Sequence, residues 1–182
     1  RRVFVNSMSD LFHDEVPASF IAKVFAVMAA TPRHTYQLLT KRHARMRALL
    51  NDPEWRSDMF LRESVFDLSG PPRPLPLWPL PNVHLGVSVE DQKWADIRIP
   101  ALLGTPAALR WLSMEPLLGP VDLSRWMASV DFPECWDDHA PSAECPRCIR
   151  PTWIVVGGES GPGARPMHPA WARALRDQCV ST

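Results

Sequence analysis

The sequence predicts an α/β fold, namely a partial (β/α) barrel with parallel strands that forms a single domain over residues 1–182. Short apolar runs are each followed by polar residues, and helical segments usually come next. The chain of 182 residues is shorter than the roughly 250 residues typical of an eight-fold barrel. We therefore expect a fragment of a barrel that lacks its N-terminal and C-terminal units.

Five apolar runs predict the strands, because short runs rich in β-branched and aromatic residues are typical of buried parallel strands. These runs are residues 3–5, 36–39, 83–87, 109–112 and 153–156.

Apolar residues at helical spacing predict four helices between and after these strands. Each helix is indicated by one such set: Phe20, Ile21, Val24, Phe25 and Met28; Met46, Leu49 and Leu50; Trp94, Ile97, Ala101 and Leu102; and Trp171, Leu175 and Cys179. We expect Asp91 to cap the third helix and Pro100 to end it, since proline lacks the N–H that a helix interior needs. The last helix should cover about 169–179 and bury Cys179 as an apolar residue.

Two insertions interrupt this alternation. Residues 70–81 are rich in proline and contain Trp78, so they cannot form a regular helix or a central strand. A variable surface loop is the simpler interpretation, and a docking site for a proline-binding partner is the alternative. Residues 129–151 form a second insertion, which is rich in cysteine and histidine.

The second insertion contains a candidate metal site. Cys135, His139, Cys145 and Cys148 follow the pattern C-x3-H-x5-C-x2-C, and four such ligands could complete a tetrahedral structural zinc site. A loop with unligated thiols fits the same residues, as does a disulfide if the chain is exported. An iron–sulfur cluster fits less well, because the spacing matches neither common ferredoxin pattern.

Composition excludes several classes of protein. Twenty Lys and Arg residues balance twenty Asp and Glu residues, so net charge gives no argument for nucleic-acid binding by the whole chain. No apolar run reaches the ~18 residues of a membrane span, and no secretory signal pattern opens the chain. We expect a cytoplasmic protein that does not enter membranes.

Polar residues follow each predicted strand, and the carboxyl ends of parallel strands are where α/β folds bind their ligands. We expect the following residues to line a cofactor-binding or substrate-binding site: Asn6, Ser7, Asp10, Lys41, Ser88, Glu90, Ser113, Glu115, Gly157, Gly158, Glu159 and Ser160. Capping of the next helix is the alternative role for such residues, but it explains Lys41 and Glu115 poorly.

The glycine-rich stretch 157–163 could hold an anion on its backbone N–H groups, although a tight turn without a ligand fits nearly as well. It matches neither a dinucleotide fingerprint nor a P-loop. The carboxylates Glu90, Glu115 and Glu159 occupy corresponding positions after three strands. A pair of them could act as general acid and base, so a hydrolase is a further hypothesis.

The ordered set of strand-end motifs resembles a known family. Its members are the phage-associated gp thirty-seven/gp sixty-eight-type proteins of unassigned function, which are related to radical-SAM enzymes. The motifs are VFVNSMSDLFH at 3–13, LLTKR at 38–42, LGVSVE at 85–90, LSMEPL at 112–117 and VGGESG at 156–161. The resemblance covers nearly all of the chain outside the two insertions.

This resemblance implies a [4Fe–4S] cluster and S-adenosylmethionine in the full-length protein, acting on an unknown substrate for which a nucleic-acid component is one candidate. The cluster-binding cysteine triad of the family would precede Arg1, so this chain alone should be inactive in that chemistry. The strand-end residues would line the cofactor and substrate cavity. The alternative from another class is a non-catalytic phage or prophage binding scaffold with a zinc-held insertion.

Overall fold

The computed structural model describes residues 1–63, 77–127 and 150–181, and in them the predicted alternation of strands and helices is present. The elements are β1 (Arg2–Val5), α1 (Ala18–Ala30), β2 (Thr35–Thr40), α2 (His43–Asn51), α3 (Pro53–Glu63), β3 (Val83–Ser88), α4 (Gln92–Leu103), β4 (Leu109–Met114), α5 (Ser124–Met127), β5 (Trp153–Val156) and α6 (Pro169–Val180).

The five strands form one open, entirely parallel sheet in the order β1-β2-β3-β4-β5. Crossovers between parallel strands are right-handed, so an unbroken strand order places every connecting helix on the same face. This arrangement confirms the predicted fold class, an α/β fold of partial-barrel type.

The main hydrophobic core lies between the sheet and its helices. Leu38 and Leu85 are register partners on β2 and β3, and both are almost completely buried. Phe25 of α1 and Ile99 of α4 belong to the same buried cluster. The helices therefore hold the sheet from one side and leave its carboxyl edge free to carry polar loops.

The opposite face of the sheet carries a row of aromatic side chains. Trp111 stacks on Trp153 with ring centroids 4.5 Å apart, and Phe4 meets Trp111 edge-on at 6.2 Å. The Trp111 ring lies directly over Gly86, where a Cβ atom would come within 2.4 Å of the ring. Glycine is required at this position because the buried Trp111 indole occupies the space that the side chain of any other residue would need.

Two predictions about the helices were wrong. Pro100 does not end α4, which continues to Leu103. The Pro100 carbonyl still accepts a hydrogen bond from the Gly104 N–H, and burial of Leu102 stabilises the last turn. Cys179 is exposed rather than buried, since the end of α6 extends beyond the core that covers Leu175.

Helix α3 was not predicted from the sequence. Pro53 opens this helix at its first position, where the missing N–H costs nothing. Trp55 and Met59 are four residues apart and are both buried. Such a pair was the available signal for a helix that packs against α1.

Parts of both insertions lie outside the described residues. Residues 77–81 contain neither helix nor strand, as predicted, whereas residues 70–76 are not described. The candidate metal ligands Cys135, His139, Cys145 and Cys148 also lie outside the described residues, and structural zinc stays a prediction. None of the described helices is both long enough and apolar enough to cross a membrane.

Candidate functional site

Asp10 joins the loops that follow β1 and β2. Its carboxylate accepts hydrogen bonds from the Thr40 hydroxyl (2.8 and 2.9 Å), from the Lys41 N–H (2.9 Å) and from the Phe12 N–H (3.0 Å). The preceding turn begins at Asn6, whose φ of 60° is a left-handed conformation that asparagine tolerates better than most residues. Asp10 thus fixes the backbone from which Lys41 projects.

Lys41, Glu90 and Arg98 form an ion-paired cluster at the ends of β2 and β3, in which Glu90 and Arg98 are buried and Lys41 is exposed. The Lys41 Nζ atom lies 2.9 Å from one Glu90 oxygen, and the Arg98 Nη1 atom lies 2.8 Å from the other. Glu90 is 8 % exposed and Arg98 is 5 % exposed. We call these three residues the ion-paired cluster; they connect the strand ends to α4.

The charge state of Glu90 follows from its surroundings. Burial opposes ionisation of this carboxyl group, whereas the hydrogen bond from Lys41 and the positive charges of Arg98 and Lys41 favour it. The favourable contributions are larger together, so the pKa of Glu90 lies below its ordinary value. Glu90 is therefore held as a carboxylate between two cations.

Arg98 is a site residue that the sequence analysis missed. Besides its ion pair, its Nη1 atom donates to the Ser88 carbonyl at 2.8 Å, and its guanidinium lies over the Trp94 ring at 3.9 Å. The available signal was a charged residue on a buried helix face, between Ala95 and Leu102. Buried arginines are almost always paired, so a nearby acid was to be expected.

The loops after β4 and β5 are joined through Glu115 and Gly157. The exposed Glu115 side chain lies against the Gly157 backbone, where a Cβ atom would come within 2.3 Å of the Glu115 carboxylate. The Gly157 N–H donates to the Met114 carbonyl at 3.1 Å, and the Leu117 N–H donates to the Gly157 carbonyl at 2.9 Å. Glu115 therefore occupies space that only glycine leaves free.

The glycine-rich loop is closed by its own side chains. The Glu159 carboxylate accepts two hydrogen bonds from the Arg165 guanidinium, at 2.8 and 2.7 Å, and one from the Arg165 N–H at 2.8 Å. These hydrogen bonds lower the pKa of Glu159 to about 2. Gly161 and Gly163 have positive φ angles of 97° and 77°, as a tight turn requires. These contacts agree with the tight turn without a ligand, which was the alternative to an anion-binding loop.

The structure brings only some of the predicted site residues together. A cavity of about 310 Å³ on the carboxyl side of β1–β3 is lined by five of them: Asn6, Ser7, Asp10, Lys41 and Ser88. Ser113 is the register partner of Ser88 and is buried with it. Gly158 and Ser160 are exposed in the loop after β5, and they do not line this cavity.

Within the described ranges, no group of three or more histidine, cysteine, aspartate or glutamate side chains could hold a metal ion. Cys179, exposed on α6, is the one cysteine in this part of the chain. Three thiolates for an iron–sulfur cluster are therefore not available among the described residues.

Comparison with known proteins gives a family but no activity. No curated protein matches the chain, and no solved structure matches it either. The profile of the family described as "Protein of unknown function (DUF5131)" matches residues 1–182, and the chain therefore belongs to the DUF5131 family.

Proposed function

We propose that the chain forms the ligand-binding part of a radical-SAM-like protein of unknown substrate. In this proposal the carboxyl edge of the sheet faces S-adenosylmethionine and the substrate. One observation carries it: polar side chains after β1, β2 and β3 converge on a single cavity, and the ion-paired cluster adjoins them. Ligand sites of parallel α/β folds form at this edge.

The donors and acceptors around this cavity suit S-adenosylmethionine. Its amino-acid part carries a carboxylate and an ammonium group, and its ribose carries hydroxyls. Lys41 offers a cation, Asn6 an amide, and Ser7 and Ser88 hydroxyl groups to such a ligand. Because Asp10 and Glu90 hold the backbone and the ammonium group of Lys41 in place, the site is organised before a ligand enters.

The iron–sulfur cluster has no place among the described residues, as the cysteine count above shows. When bound, such a cluster supplies the electron that cleaves S-adenosylmethionine reductively. We assign to this chain only the binding and orientation of the organic ligand. The cluster would require cysteines outside the described residues.

The ionised states of Glu90 and Glu159 give the hydrolase hypothesis less support than the ligand-binding proposal has. A general acid must hold a proton near the working pH. Glu90 is held ionised by two cations, and the pKa of Glu159 is about 2 because of its contacts with Arg165. Neither group is suited to donate a proton at neutral pH, so we favour the ligand-binding proposal.

Isothermal titration calorimetry of the chain with S-adenosylmethionine tests this proposal. Lys41→Gln should weaken binding about tenfold, since a hydrogen bond between charged groups is lost. Lys93→Gln is the matched control, because Lys93 carries the same charge on α4 over the Trp94 ring and does not line the cavity. This control should bind like the unmodified chain.

Two results would overturn the proposal. One is the absence of S-adenosylmethionine binding by the folded chain. The other is a coding sequence without three closely spaced cysteines in frame upstream of Arg1, since the cluster would then lack its ligands. If the triad is present, anaerobic cluster reconstitution of the longer protein should yield reductive cleavage of S-adenosylmethionine.

A further inference from the structure

A second and larger cavity, of about 700 Å³, lies beside the ion-paired cluster, and we call it the outer cavity. It is bounded by the loop after β1, by the start of α2 and by α4. Its cationic lining consists of Lys41, Arg42, Arg45 and Arg98. Asp10 and Asp14 are its two carboxylates, so the lining has an excess of two positive charges, which Glu90 behind it reduces to one.

Lys41 and Arg98 are paired with Glu90, but the other two cations, Arg42 and Arg45, have no close carboxylate partner in the described part of the chain. The Arg45 guanidinium donates to the backbone carbonyls of Phe12, His13 and Val16, which are neutral acceptors. Arg42 approaches Asp14 only to 3.7 Å, and its side chain is 45 % exposed. The Asp10 carboxylate is already occupied by the hydrogen bonds that join the two loops. The outer cavity is therefore electropositive and accessible.

The first turn of α2 opens onto the same cavity. His43 and Ala44 line it, and no side chain caps this helix at Arg42. The first N–H groups of a helix lack intrahelical acceptors, and the helix dipole favours an anion beside them. This end of α2 thus adds donors to a cavity that is already cationic.

Arg98 supplies an independent indication of a missing acceptor. Its side chain lines the outer cavity and is almost entirely buried, and its Nη1 atom is used by Glu90 and Ser88. Its Nε atom is buried and has no hydrogen-bond partner among the described residues. A buried donor without an acceptor is costly, so the guanidinium of Arg98 keeps hydrogen-bonding capacity that Glu90 and Ser88 do not use.

We propose that the outer cavity binds the phosphoryl group of a ligand. A phosphoryl group presents several acceptor oxygens, and arginine, lysine and a helix N-terminus are the groups that proteins use to bind it. The phosphoryl group could belong to a small phosphate ester or to a nucleic-acid backbone. This inference does not rest on radical chemistry or on S-adenosylmethionine binding.

Titration of the chain with inorganic phosphate, ribose 5-phosphate and a short oligothymidylate tests the inference. We expect saturable binding that weakens as salt is added, since the attraction is electrostatic. Arg42→Gln should weaken binding of every probe about tenfold, because one charge-assisted hydrogen bond is lost. Arg47→Gln removes the same charge five residues further along the chain, on α2, where the side chain lines a different cavity, and should leave binding unchanged.

The outcomes separate the possible sources of the phosphoryl group. Tighter binding of ribose 5-phosphate than of the oligonucleotide supports the inference with a small phosphate ester, and the reverse order supports it with a nucleic acid. No binding of any probe to the folded chain would overturn it. Equal weakening by Arg42→Gln and Arg47→Gln would also overturn it, since only overall charge would then matter. Circular dichroism establishes that both variants are folded.

Discussion

The two halves of the strand-end edge differ in how their charges are held. After β2 and β3, the ion-paired cluster connects three separate elements, and two of its members are nearly inaccessible to solvent. After β5, Glu159 pairs with Arg165 only six residues away, and the Arg165 side chain is 61 % exposed. Both regions therefore carry a glutamate that is paired with arginine; Glu90 is buried, whereas Glu159 is partly exposed to water.

Burial determines what such a glutamate does. In the interior, a charge left without its partner is expensive because water cannot replace the lost contacts. At the surface, water and salt compensate most of the loss. The cluster at Glu90 should therefore maintain the architecture of the site, whereas the pair at Glu159 should close only its own loop.

The largest effect is expected when Glu90 is neutralised. Glu90→Gln leaves the buried Arg98 without its counter-charge, and we expect the free energy of unfolding to fall by about 3–5 kcal/mol. Urea denaturation followed by circular dichroism measures this change. Glu159→Gln is the matched control and should have a much smaller effect, so equal losses in the two variants would contradict the comparison.

A double variant sharpens this test. Glu90→Leu combined with Arg98→Met removes both buried charges, and it should be considerably more stable than Glu90→Leu alone. Loss of stability that is simply additive would mean that the two side chains are not energetically coupled.

A smaller effect is expected at Gly157. The Cβ atom of Gly157→Ala would overlap with the Glu115 side chain, but Glu115 is exposed and can move away. We expect a loss of about 1 kcal/mol, at the lower end of overpacking costs. The loss should disappear in a Glu115→Ala background, where the space is free. Urea denaturation of the four chains of this cycle measures the coupling, and an equal cost in both backgrounds would show that Glu115 is not the obstacle.

The strands could be predicted from the sequence because burial of a strand requires a local run of apolar residues. The runs at 36–39 and 83–87 are mostly apolar, because one face of these strands lies against the covering helices. The convergence of Lys41 and Glu90 could also be expected, because parallel order brings the ends of β2 and β3 to one edge.

The role of Arg98 could not be predicted from the sequence. Its position on α4 is evident from the sequence, but its contact with Glu90 depends on how that helix packs on β3. Pro100 was misinterpreted for a related reason. A local rule against proline in helices was outweighed by the burial of the turn that follows it.

The smallest effect in this comparison concerns acid stability at Glu159. Because the pKa of Glu159 is lowered from 4.5 to about 2, its ionised form stabilises the folded chain. This contribution to folding stability is fully present at pH values above the ordinary pKa of 4.5, and it is lost as the pH falls through about 2. Glu159→Gln should therefore flatten the fall of the thermal midpoint between pH 4.5 and 2, and salt should diminish the difference because the pair is exposed. Arg165→Gln should act like Glu159→Gln, since either change breaks the same pair. An unchanged pH profile in both variants would mean that the contact does not persist in solution.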